Sequence, residues 1–193
     1  MVKLMQLGLE EEISSEALAP LLAKYDPEAA PDCVAELAAL LEPFLRSMPQ
    51  ALSVAVQMTK SRRCGRAVAF ATGQALIYVL DEDDLLPERD FGIIGLLDNA
   101  YLAHIYAGTL LRMYPQGGVS EVVYQSPDER TLNVVRSLLP AGVANALERA
   151  VDNLLLAANS LFGGGAGAEE HPPESAPSLH VSDAIRAMRA VGV

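Results

Sequence analysis

From Val34 to Met48 the apolar residues Val34, Leu37, Leu40, Leu41, Phe44, Leu45 and Met48 recur at steps of three and one. That spacing marks one face of an α-helix. Most of the chain repeats the pattern in short segments with readable ends. Ser14 is placed to cap a helix whose stripe is Leu18, Leu21, Leu22 and Tyr25, with Ile13 and Leu18 at the spacing of a hydrophobic staple. Asp26-Pro27 ends it, and Pro31-Asp32 starts the next. Pro43 lies inside that second helix and is expected to kink it or split it near Leu40. Pro49 suits the first position of a third helix, running through Val56 and Met58 toward Arg63, and Gly65 is the candidate hinge after it. Further on, Ser126-Pro127-Asp128-Glu129 reads as a capping box, with serine as cap, proline at the first position and Glu129 at the third. The helix it opens is expected to bury Leu132, Val135, Leu138 and Leu139. Pro140 begins another, with the stripe Val143, Leu147, Val151, Leu154, Ala158 and Leu161, and Gly163-Gly164-Gly165 stops it. Val2, Leu4, Leu7 and Leu9 form a short arm to pack on the bundle, and a short extended piece is expected around Val122 and Val123.

The densest apolar stretch runs from Gly65 to Met113, as apolar helix, acidic turn, apolar helix. Ala67 to Leu80 is broken only by Thr72, Gly73 and Gln74. It is shorter than the roughly 20 residues a bilayer crossing needs. A helix apolar nearly all round is expected at the buried centre of a bundle. Asp81, Glu82, Asp83 and Asp84 end it, against the helix dipole. Arg62, Arg63, Arg66 and Arg89 are the cations available to offset them.

Asp84, Leu85, Leu86 and Pro87, followed by Gly95, Leu96, Leu97 and Asp98, are similar to the two signature blocks of the YkvA-like domain, a bacterial family with no settled activity. Glu82 stands where that family has proline, and Glu88 and Asn99 each replace an aspartate. The resemblance covers residues 66–113. It implies a helical hairpin with an acidic loop and no reaction, and it brings an expectation of work at or near membranes.

Composition narrows the function classes. Of the 193 residues, 51 % are hydrophobic, which excludes wholesale disorder and supports one sizeable core. A net charge of −11 argues against nucleic acid, whose phosphates call for surplus lysine and arginine, and against simple docking on anionic lipid. Aromatics at 5 % and abundant alanine and leucine favour helices over a β-sandwich. The two cysteines, Cys33 and Cys64, have no zinc spacing and read as buried, reduced thiols. The first residues lack a secretory pattern, so a cytoplasmic protein is expected.

The acidic turn is the main candidate site. Asp81, Asp83, Asp84, Glu88 and Asp98 would offer oxygen ligands to a hard cation if they converged. Their spacing is wrong for an EF-hand, since Leu86 occupies the loop-glycine position and Gly92 the closing-glutamate position. The simpler role for Asp84 and Asp98 is to cap helix starts or bond loop amides. His104 is six residues beyond Asp98, about 240° round a helix, and reads as a core or boundary histidine. His171 and His180 have no companions. No nucleophile elbow, phosphate loop or dinucleotide fingerprint is present in the sequence, and the glycine run is a spacer.

The sequence therefore predicts an all-α protein, a single bundle of six to eight helices over residues 1–162. A flexible linker follows over 163–177, then a short amphipathic C-terminal helix over 178–193. Ile185, Met188 and Val191 line one side of that helix and Arg186 and Arg189 the other, as in a docking peptide or a tail folded back on its own bundle. The expected function is non-enzymatic: a cytoplasmic adaptor or regulatory protein that binds another protein, with no catalytic residues, no metal, no cofactor and no nucleic acid. Homo-oligomerisation is compatible with this reading. A membrane-associated hairpin is the first alternative, and a divalent-metal protein or enzyme at the acidic turn the second.

Overall fold

The computed structural model describes residues 13–61, 65–81, 85–86, 95–115, 124–140 and 142–162. Within them the chain forms seven α-helices and no strand: α1 (Ser15–Tyr25), α2 (Pro31–Arg46), α3 (Met48–Thr59), α4 (Gly65–Val79), α5 (Leu96–Met113), α6 (Glu129–Leu138) and α7 (Val143–Phe162). The all-α bundle expected from the periodicity is what the chain builds.

Several helix starts follow from local chemistry. The Ser14 hydroxyl accepts the Ala17 amide at 3.1 Å, and Ile13 and Leu18 are both buried across that turn. Glu42 on α2 adds a second cap, because its carboxylate accepts the Ser15 amide at 2.7 Å. That amide, with Arg46 nearby, holds the Glu42 carboxyl below its ordinary range. Pro31 opens α2 at its first position. Gly65 opens α4 with φ +63, a left-handed conformation that side chains other than glycine adopt at a cost, and α3 and α4 are separate helices.

Several expectations are corrected. Pro43 does not split α2, which continues to Arg46; Pro43 and Ala39 both face water, so solvent serves the carbonyl that loses its amide partner. The cap of α6 is Asp128 and not Ser126: its carboxylate accepts the Thr131 amide at 2.7 Å, so no capping box forms with Glu129. Aspartate caps as well as serine, and the helix starts at the nearer one. Within and beyond α6, Val135 and Leu139 are buried but Leu138 is exposed. Finally, Cys33 is free and exposed on α2, not buried. The Val2–Leu9 arm, the Val122-Val123 piece and Cys64 lie outside the described residues.

The centre of the bundle is α5. It packs against α2, α3, α4, α6 and α7, and residues from Leu97 to Leu110 are buried almost without interruption. Helix α4 is not the centre. It packs on α3, α5 and α7, burying Ala67, Val68, Ala71, Ala75, Tyr78 and Val79. α4 and α5 are antiparallel. Tyr78 meets Asp98 at 2.8 Å, and Thr72 meets Tyr106 at 3.0 Å, so the numbers run in opposite senses. Beyond the acidic residues, Leu85 and Leu86 return to the core.

Candidate functional site

Because α5 is covered on so many sides, its polar residues are buried with its apolar ones. Asp98, Asn99 and His104 are each 1 % exposed or less. A buried polar group needs a partner, and the side-chain bonds of Asp98 to Tyr78 and of His104 to Phe44 tie α5 to neighbouring helices. Asp98 stands in the first turn of α5. One carboxylate oxygen accepts the Tyr78 hydroxyl at 2.8 Å from the last turn of α4, and the other accepts the Asn99 amide at 2.9 Å. The carboxylate closes the hairpin and sits at the positive end of the α5 dipole.

His104 lies one and a half turns further on. Its Nε2 is 2.9 Å from the Phe44 carbonyl at the end of α2, and its Nδ1 is 2.8 Å from the Tyr124 hydroxyl. A carbonyl only accepts, so Nε2 carries the proton and Nδ1 accepts from tyrosine. Ser47, between α2 and α3, donates to the same Phe44 carbonyl at 3.0 Å. The Phe44 ring packs on the imidazole with centroids 4.5 Å apart. Burial drives the imidazole pKa down from 6.5 to about 4, partly countered by the Phe44 carbonyl. At neutral pH this histidine is uncharged, with both nitrogens engaged. A general base needs a free nitrogen and a pKa near the working pH, so His104 is a structural bridge. Burial likewise pushes the Tyr124 phenol up to about 12.

A second polar group lies nearer the surface. Glu148 on α7 accepts the Tyr101 hydroxyl at 2.6 Å and the Arg136 guanidinium at 2.9 Å, and Arg136 also donates to Asn145. Partial burial pulls the Glu148 carboxyl up, but the Arg136 and Tyr101 hydrogen bonds outweigh it and hold the acid below its usual range. Burial and Glu148 raise the Tyr101 phenol. The cluster ties α5, α6 and α7 together.

The expected acidic site divides. Asp98 is fully buried against Tyr78, Asp81 is partly exposed beyond the end of α4, and Asp83, Asp84 and Glu88 lie outside the described residues. Among the described residues no group of three or more histidine, cysteine, aspartate or glutamate side chains is placed to hold a metal ion. Arg66 does not offset Asp81, because about 22 Å of helix separates the first turn of α4 from its end. Ile185, Arg186, Met188, Arg189 and Val191 also lie outside the described residues.

One surface was missed by the sequence reading. On the side of α4 turned away from the core lie Ala69, Gly73 and Ile77, with Leu80 just past its end, while Leu76 is half-buried against the core. Ile77 and Leu80 are each 48 % exposed. A Cβ added at Gly73 would meet nothing within 4 Å. The signal was in the sequence: a helix apolar on every side places some apolar residues in water unless it is surrounded. No family model matches the chain, and no match is found among the curated proteins or the solved structures.

Proposed function

We propose that this protein is a non-enzymatic adaptor or regulatory protein of the cytoplasm that works by binding another protein. The observation carrying the proposal is the water-facing apolar side of α4 and its end, where Ala69, Ile77 and Leu80 are exposed. Contiguous apolar surface of this kind marks interaction sites. The buried Asp98 and His104 and the part-buried Glu148 support the same reading, because they bond to neighbouring helices and hold the packing. A free, exposed Cys33 suits a reducing compartment. The C-terminal segment with Ile185, Arg186, Met188, Arg189 and Val191 is the second contact element. Membership of the YkvA-like family is proposed for residues 66–113, supported by the antiparallel α4–α5 hairpin and the Tyr78–Asp98 bond at its closed end.

A membrane-inserted hairpin is the weaker reading. Among the described residues no helix is long and apolar enough to cross a membrane. Shallow insertion of the whole hairpin would also strip α5 of α2, α6 and α7 and carry Asp98 and His104 into lipid. The test is capture from native cell extract by the full chain and by its Ile77→Asp/Leu80→Asp variant. A partner held in stoichiometric amount by the wild type is expected to be lost from the variant. An identical captured set would overturn the proposal.

A further inference from the structure

Resting on that reading of α4, we infer that its apolar face is the docking site of this chain's own C-terminal segment, residues 182–193, so that the protein masks its own contact surface. The two surfaces match in chemistry. Along α4 and just past its end, Ala69, Gly73, Ile77 and Leu80 form an apolar strip, open at Gly73 where an added Cβ would meet nothing within 4 Å. In the C-terminal segment Ile185, Met188 and Val191 recur every three residues, the minimal apolar stripe of a helix that lies in a groove. Charge matches as well. The α4 strip ends at Leu80, immediately before Asp81, Glu82, Asp83 and Asp84, where the helix dipole is also negative. The segment carries Arg186 and Arg189 on its other side and a single acidic side chain, Asp183, in a chain of net charge −11.

The tether reaches. Helix α7 ends at Phe162, and α7 packs along α4. Residues 163–181 are rich in glycine, alanine and proline, and a flexible chain of that length would have a root-mean-square reach of about 24 Å. Helix α4 is about 22 Å long, a span comparable to that reach. Tethering sets an effective concentration on the order of millimolar, so even a weak contact is occupied in cis. A helix as short as 182–193 is marginal in water and gains its stability from such a surface. A second copy or a foreign helix has no comparable advantage at ordinary concentration.

The test uses the full chain with photoreactive p-benzoylphenylalanine replacing Ile77 and, separately, Ala69, both exposed positions. On irradiation the cross-link is expected within the monomer, to residues 182–193, with a yield unchanged over an about tenfold dilution. Arg186→Glu/Arg189→Glu is expected to lower that yield several-fold. Cross-linked dimers, cross-links confined to other parts of the monomer, or a yield indifferent to the charge reversal would each overturn the inference. The Ile77→Asp/Leu80→Asp capture experiment is independent of this result. A partner lost there, with no cross-link to the tail here, leaves the adaptor reading standing and removes self-masking alone.

Discussion

Helices α4 and α5 are neighbouring arms of one hairpin, yet they meet water differently. α5 carries Asp98, Asn99 and His104 and buries all of them, whereas α4 carries Ile77 and Leu80 and leaves each 48 % exposed. The more polar arm is the interior one. Burial here follows the number of packed neighbours, since among the described residues five helices pack closely on α5 and three on α4. Asp98 and His104 are tolerated on α5 because Tyr78, Phe44 and Tyr124 supply their bonds. The apolar outer side of α4 does nothing for the core, which turns attention to what else it contacts.

The contrast can be broken by substitution on either arm. The largest effect is expected for His104→Ala, which leaves a cavity, takes one of two donors from the Phe44 carbonyl and removes the Nδ1 acceptor of the Tyr124 hydroxyl. Urea denaturation should show a loss of about 3–5 kcal/mol. Next comes the pH response of the same residue. Its imidazole takes a proton near 6.5 when unfolded but only near about 4 when folded, so the unfolded chain binds more protons between those values. Stability from this group is therefore full above pH 6.5 and falls as the pH drops toward about 4, by on the order of 3 kcal/mol. His104→Gln should flatten that part of the stability–pH profile; an unchanged slope would show that the imidazole titrates normally. Tyr78→Phe removes one partner of the buried Asp98 carboxylate and should cost about 1–3 kcal/mol by thermal or chemical melts. Ile77→Asp, on the other arm, should change stability by less than about 1 kcal/mol. A large loss there would mean that the outer side of α4 belongs to the core after all.

Much of the scaffold was legible because its signals are local. The Ser14 cap with its Ile13–Leu18 staple, Pro31 at the head of α2 and the stripe from Leu147 to Ala158 need only neighbours within a turn or two. Where two local signals compete, the reading slips: Ser126 and Asp128 are both good caps, and the sequence pattern does not say which residue lies on the helix axis. The candidate site was far less legible. His104 bonds to a main-chain carbonyl 60 residues away, and every residue has such a carbonyl, so no pattern of side chains points to Phe44. The placement of α4 depended on how many helices surround it, which only the assembled bundle decides. Of the acidic turn, Asp98 gained its partner from Tyr78 across the hairpin, a pairing that becomes readable once two helices are taken as antiparallel.

Helix α6 shows how unevenly the bundle is held. Val135 is its one buried residue among those described, and its Arg136 reaches α7 through Glu148 at 2.9 Å on a partly exposed surface. Ion pairs in such places weaken as salt screens them. Amide exchange in 129–138 should therefore run ahead of exchange in α5, with this short helix lifting away as a unit while the remainder stays folded.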